Sequence, residues 1–122
     1  MYRYLEFVAL DLKASQTLVA KGIDIDAALS WYDADLHGSN KKHVWKTEPG
    51  YYGLMCPAPT LSELMEAIRQ KYPDAELDSE CIYPDARWQL WTGNEKGLRS
   101  IPGPIRKTVI GALAALCEKV LP

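Results

Sequence analysis

Carboxylate and imidazole side chains alternate at Asp33, Asp35 and His37, a pattern that can supply metal ligands. Aspartate oxygens bind hard cations, and imidazole nitrogens bind zinc. His43 follows in the sequence and can join them, but the segment lacks a second cluster of ligands nearby in sequence, and a closed site needs several ligands. We therefore interpret the segment as a polar loop after a strand. We expect no bound metal and no cofactor.

A thiolate–imidazole pair between Cys56 and either His37 or His43 is a second chemical possibility. Such a nucleophile needs close side chains and an electropositive surrounding. Cys56 directly precedes Pro57, where we predict a strand end, and a buried inert thiol is the simpler interpretation. The other cysteines are treated in the same way, as small buried side chains, because three widely spaced cysteines form neither a disulfide framework nor a Cys-x-x-Cys motif.

Four carboxylates at alternate positions are the sharpest electrostatic feature of the chain: Asp74, Glu76, Asp78 and Glu80. In an extended strand this spacing places all four on one face. Asp85 continues an acidic stretch that contains no Lys or Arg. The face can bind a basic partner protein or protect an edge strand from pairing with another chain. It can equally be the solvated side of a half-buried strand, which is the simplest interpretation.

Basic and aromatic residues are mixed between Lys41 and Tyr52, as in proteins that hold single-stranded nucleic acid by charge and stacking. A net charge of −2 and the lack of a nucleic-acid-binding motif argue against that function. Trp and Tyr are also enriched in protein interfaces, although a small domain can need them as core. The aromatic candidates for such a surface are Trp31, Trp45, Tyr51 and Tyr52.

Length and composition exclude several classes of function. The chain has 122 residues, of which 48% are hydrophobic and 25% charged, as expected for one globular domain. It lacks the long apolar run of a membrane span or secretion signal, so we expect a cytoplasmic protein with no membrane partner. No phosphate-binding glycine loop, dinucleotide fingerprint, nucleophile elbow or His-Glu-x-x-His motif occurs.

The elements that position these residues follow from local patterns. Thr60 and Glu63 have capping-box spacing, which predicts a helix beginning at Leu61. An earlier helix is predicted over residues 10–21 with Gly22 as its C-cap, although the alternation over residues 8–14 also fits a strand.

Short strands are predicted over residues 27–32, 43–46 and 51–55, with a tight turn at residues 48–50 between the last two. Residues 75–83 and 88–92 should form a hairpin. Pairing Cys81 with Leu90 puts the apolar side chains of both strands on one face and leaves a four-residue loop over 84–87.

After a polar connection over residues 93–103, Pro104 suits the first position of a final helix. The fold class predicted from these elements is α+β, with a small antiparallel sheet packed against two or three helices. The predicted core residues are Leu64, Ile68, Val109, Leu113 and Leu116.

In outline the chain resembles a group of small uncharacterised proteins of bacteriophages and prophages. The resemblance is carried by a segment over residues 18–23, the Ala-Pro-Thr sequence at 58–60 before the middle helix, the aromatic hairpin and the closing helix. It implies a phage origin and no established activity, and it assigns no catalytic residue.

The leading functional hypothesis is a non-enzymatic accessory protein that binds another protein, and inhibition of a host enzyme is one form of this hypothesis. The candidate surface combines Glu76, Asp78 and Glu80 with the aromatic candidates named above. A small metal-dependent or Cys/His enzyme is one alternative. A weak single-stranded nucleic-acid binder is another, and the oligomeric state stays open.

Overall fold

The computed structural model describes residues 3–33, 42–94 and 97–122, and over them the fold is α+β, as predicted. Its helices are α1 (Arg3–Val8), α2 (Leu12–Ala20), α3 (Leu61–Lys71) and α4 (Val109–Val120). Its strands are β1 (Leu29–Tyr32), β2 (His43–Lys46), β3 (Leu54–Pro57), β4 (Glu76–Ile82), β5 (Asp85–Asn94) and β6 (Gly97–Pro102). The described strands form two antiparallel sheets, a first sheet of order β2-β1-β3 and a second of order β4-β5-β6.

The capping box at the start of α3 is confirmed. Thr60 Oγ1 accepts a hydrogen bond from the Glu63 amide at 3.4 Å, and Glu63 Oε1 accepts one from the Thr60 amide at 2.9 Å. The second carboxylate oxygen of Glu63 accepts a bond from the Ala28 amide at 2.9 Å. One side chain therefore caps α3 and ties it to the segment that enters the first sheet.

Helix α2 begins two residues later than predicted, because the Asp11 carboxylate accepts a hydrogen bond from the Ala14 amide at 2.7 Å. It ends at Ala20, one residue before the predicted end, and the predicted Gly22 follows the cap residue Lys21 with a φ of +74°, which suits a glycine. Over residues 8–14, where the apolar alternation also fitted a strand, the structure has one isolated bridge. Ala9 forms an isolated bridge with Thr60, and α1 precedes it as a helix that the sequence patterns did not predict.

The third strand lies further along the chain than residues 51–55. The Tyr51 amide donates to the Glu48 carbonyl at 3.0 Å, which confirms the predicted turn. A second turn follows, in which the Leu54 amide donates to the Tyr51 carbonyl at 3.3 Å and Gly53 has a φ of +82°. Two successive turns therefore delay β3 and leave Tyr51 and Tyr52 outside the strand.

The predicted hairpin exists, but its predicted register is wrong. Cys81 pairs with Ala86, and Leu90 pairs with Leu77. The strands are joined through Tyr83 and Pro84, a shorter loop than predicted, which allows pairing to continue to the end of β4. The observed register differs from the predicted one by an even number of residues, so each side chain stays on its predicted face of the sheet. Cys81 consequently lies next to the turn of the hairpin and is exposed, contrary to its interpretation as a buried residue.

The final helix begins at Val109 rather than at Pro104. Part of the predicted connection is strand β6, and the chain then stays extended, with the Gly103 amide donating to the Trp88 carbonyl at 2.8 Å. Arg106 continues this segment through an antiparallel bridge to Ala86. Pairing to β5 therefore keeps residues 103–106 out of the helix.

Thr108 caps α4 by accepting a hydrogen bond from the Gly111 amide at 3.0 Å. Val109 is consequently in the first turn and 48% exposed, so its prediction as a core residue is wrong. Leu113 and Leu116 are fully buried, as predicted.

The buried residues form two clusters. The larger one joins α2, α3, α4 and the inner face of the second sheet, and it includes Leu64, Ile68, Trp88, Leu90 and Leu113. The smaller one packs Leu5 of α1 and Leu12 of α2 against one face of the first sheet. Within the described ranges, each helix is too short or too polar to cross a bilayer.

Candidate functional site

The outer face of the second sheet is the side directed away from α4. In β4 this face carries Glu76, Asp78 and Glu80, all of which are exposed, as predicted. Cross-strand register places Gln89 and Trp91 of β5 on the same face, because Asp78 pairs with Gln89 and Glu76 with Trp91. On the inner face, Trp88 and Leu90 are buried in the cluster that contains α4. The second sheet thus separates an apolar side from a polar, solvated side.

A chain of side-chain hydrogen bonds crosses all three strands of the outer face. The Arg87 guanidinium donates to Glu80 Oε2. Gln89 Nε2 donates to the same oxygen at 3.2 Å, and Ser100 Oγ of β6 donates to Gln89 Oε1 at 2.8 Å. The acidic row is therefore braced from the neighbouring strand, and it has a cationic neighbour in Arg87 that the run of acidic residues in the sequence did not reveal.

The same contacts act on the ionisation of Glu80. The hydrogen bond from Arg87 and the positive charge of that side chain lower the pKa of the Glu80 carboxyl. Glu80 is exposed, so solvent screens this interaction. The consequence for the site is a carboxylate that stays charged and is held in one orientation.

Apolar side chains adjoin the carboxylates. Trp91 pairs with Glu76 on one side and Ser100 on the other, and it is half-buried. Leu98 of β6 pairs with Gly93 and is 74% exposed. Trp91 is not among the surface residues predicted from the sequence. The signal was present, since Trp91 shares the strand parity of Gln89 rather than that of Trp88.

Trp31 is covered by neighbouring elements, contrary to its prediction as part of an exposed contact surface. It is buried in the smaller cluster, and its indole Nε1 donates to the Leu10 carbonyl at 2.9 Å. Strand β1 is central in its sheet, and the face that carries Trp31 is covered by α1 and α2.

The opposite face of the first sheet is organised around Tyr32, which is also buried. Its hydroxyl donates to the Lys46 carbonyl at 2.7 Å and accepts from the Glu48 amide at 2.9 Å. Its ring stacks on His43, with centroids 6.0 Å apart, and meets the edge of Tyr51 at 5.6 Å. Tyr32 thus holds the turn that follows β2 against the sheet.

The remaining aromatic candidates differ in exposure. Tyr52 is 82% exposed, Tyr51 is about half exposed at 48%, and Trp45 is half-buried in β2. They belong to the first sheet and its turns, whereas the acidic row belongs to the second sheet. The structure therefore divides the predicted surface between two regions.

The hypothesis of a Cys56–His43 pair is wrong. Cys56 pairs with Trp31 and His43 pairs with Tyr32, and successive residues of β1 point to opposite faces. Burial also raises the pKa of the Cys56 thiol, which disfavours a thiolate. His37, the other predicted imidazole partner, lies outside the described residues.

The predicted metal segment is described only in part. Asp33 is exposed and forms an ion pair with Lys42 at 3.9 Å, while Asp35 and His37 lie outside the described residues. Over the described ranges, no group of three or more His, Cys, Asp or Glu side chains is arranged to hold a metal ion.

Comparisons of the chain with protein-family models, curated proteins and solved structures find no match. The outer face of the second sheet has therefore to be interpreted from its own chemistry.

Proposed function

We propose that this chain is a non-enzymatic, phage-type accessory protein that binds a basic partner protein through the outer face of its second sheet. The observation that carries the proposal is the exposed row of Glu76, Asp78 and Glu80 beside the half-buried Trp91. Negative charge steers a basic partner towards the face. A tryptophan next to that charge offers the apolar area from which interfaces gain most of their binding energy.

The hydrogen bonds across the face favour binding because they reduce its entropic cost. Glu80 is fixed by Arg87 and Gln89, and Gln89 is fixed in turn by Ser100. Side chains that are already ordered lose less freedom when a partner arrives. One form of this function is inhibition of a host nucleic-acid enzyme, in which the carboxylate row takes the place of a phosphate row in a basic groove.

The test uses the tagged protein to capture partners from host lysate, followed by binding measurements with the purified partner. Glu76→Lys with Glu80→Lys should lower the free energy of unfolding by no more than about 1 kcal/mol, because both side chains are exposed and the Glu80–Arg87 ion pair that is lost lies at the surface. The same double change should abolish capture. Raised salt should weaken binding of the wild type, since exposed charges are screened.

A matched control makes the same charge change elsewhere. Asp26→Lys with Glu66→Lys alters two exposed carboxylates outside the second sheet and should leave capture intact. A partner that binds the Glu76→Lys, Glu80→Lys variant as tightly as the wild type, with no salt dependence, would remove the acidic face from the function.

A further inference from the structure

A groove lies where the C-terminal end of α1 meets the N-termini of α3 and α4. It has a volume of about 480 Å³ and is lined by Phe7, Val8, Leu61, Val109 and Ile110, together with the polar residues Thr60, Ser62 and Thr108. A second groove of about 670 Å³ shares Thr108 and contains Lys13, Arg106 and Lys107. We name the two together the helix-end groove.

One half of the helix-end groove exposes large apolar side chains. Phe7 is 83% exposed and Val8 is 53% exposed, and they lie beside Val109 in the same cleft. Water-exposed apolar side chains that cluster in a concave site, with polar residues around them, mark a binding surface. The apolar half therefore suits an apolar side chain of a partner.

The other half of the helix-end groove is cationic. Over residues 3–33, 42–94 and 97–122, no carboxylate forms an ion pair with Lys13, Arg106 or Lys107. Two acidic residues, Asp11 and Glu118, also line this half, and both already have partners. Glu118 pairs with Lys21 at 3.2 Å, and Asp11 caps α2. Helix α4 has no acidic residue in its first turn, so its N-terminus adds positive potential.

We propose that the helix-end groove binds a short acidic peptide segment of another protein. An apolar side chain of that segment packs on Phe7 and Val109, and its carboxylates contact Arg106 and Lys107. Charge complementarity selects this occupant, since a guanidinium matches a carboxylate in a bidentate arrangement. Aliphatic side chains form much of the apolar half, which favours a peptide over the stacked bases of a single-stranded nucleic acid.

The experiment selects a library of short random peptides on the full-length wild-type protein. The enriched peptides should combine Asp or Glu with a large apolar residue. Their dissociation constants should rise at least about tenfold on Arg106→Glu with Lys107→Glu, which is about 1.4 kcal/mol of binding free energy. Phe7→Ser should weaken binding by a similar factor. Because Phe7 is largely exposed, this variant should fold, and it tests the groove independently if the double variant misfolds.

Two controls make the result specific to the groove. Lys46→Glu with Arg69→Glu reverses two other exposed charges and should leave peptide binding unchanged. Glu76→Lys with Glu80→Lys should also leave peptide binding unchanged. A failure of the acidic-face proposal would therefore not affect the proposal for the groove.

Three outcomes would overturn the proposal. Selection enriches no acidic peptides, or the enriched peptides bind the Arg106→Glu, Lys107→Glu variant as tightly as the wild type. The third is sedimentation showing a wild-type oligomer that this variant dissociates, because a second copy of the chain would then occupy the groove.

Discussion

The two sheets have the same number of strands and the same antiparallel pairing, but they use their faces differently. In the first sheet, the consecutive residues Trp31 and Tyr32 point to opposite faces and are both buried. In the second sheet, Trp88 is buried while Trp91 on the opposite face is only half-buried. Helices cover one face of the first sheet, and the Tyr51 turn closes over the other.

The second sheet has α4 on its inner side and charged side chains on its outer side. Residue type does not distinguish the two cases, because the strands of each sheet carry two tryptophans. The sheets differ in how far neighbouring helices and turns cover their faces. The outer face of the second sheet is therefore a better candidate for a partner surface than the aromatic residues of the first sheet.

The largest test of this comparison sets Trp31→Ala against Trp91→Ala. Loss of Trp31 should cost about 3–5 kcal/mol of unfolding free energy, because it leaves a cavity in the smaller cluster. Loss of the half-buried Trp91 should cost about 1 kcal/mol. Urea denaturation of the two variants measures both values. Similar losses for the two variants would mean that the sheets are equally covered.

A sharper test removes one oxygen atom from the first sheet. Tyr32→Phe leaves the Lys46 carbonyl and the Glu48 amide without their partner and should cost about 1–3 kcal/mol. Tyr52→Phe is the matched control, since Tyr52 is largely exposed, and should stay within about 0.5 kcal/mol of wild type. An unchanged melting temperature for Tyr32→Phe would contradict the anchoring role of its hydroxyl.

A third test concerns the cap of α3, the helix that Glu63 ties to the segment entering the first sheet. Thr60→Ala should cost about 1 kcal/mol, because it leaves the Glu63 amide without its acceptor. Ser62→Ala, at an exposed neighbouring position of the same helix turn, should have almost no effect. Thermal melts of both variants, run together, make the comparison, and equal melting temperatures would argue against the cap.

The smallest expected effect concerns the ionisation of Glu80. Its pKa is lowered in the folded state, so its contribution to stability is present above the unfolded-state pKa and is lost as the pH falls through the folded value. Carboxyl-carbon NMR should place the Glu80 midpoint below the ordinary value for glutamate. Arg87→Met should return it towards that value. A midpoint that does not respond to this change would show that Arg87 does not brace the acidic row.

Local signals predicted local structure well. Thr60 and Glu63 are close in sequence, and both hydrogen bonds of their capping box exist. Gly22 was also predicted correctly at the C-terminal end of α2, because the positive φ needed there is a property of a single residue. The fold class also followed, since strand and helix periodicities are properties of short segments.

Features that depend on distant partners were predicted less well. Strand parity gave the correct faces of the hairpin but cannot distinguish registers that differ by an even number of residues. Pro104 suited a helix start, but the bridge from Arg106 to Ala86 keeps that segment extended. The helix-end groove joins Phe7 to Val109, from opposite ends of the chain, and no sequence spacing brings them together.

The contrast among the three cysteines has a practical consequence for observing the acidic face. Cys56 and Cys117 are buried, and burial raises the pKa of the Cys117 thiol to about 12, whereas Cys81 is exposed. The folded protein should therefore react with a maleimide at Cys81 and at the other two thiols only after unfolding. Cys81 has the strand parity of Leu77, so a fluorophore attached there lies on the face opposite Glu80 and leaves the carboxylate row free. Its anisotropy should rise when a bound partner protein slows the tumbling of the molecule, so binding to the acidic face can be followed in the natural sequence, without an engineered attachment point.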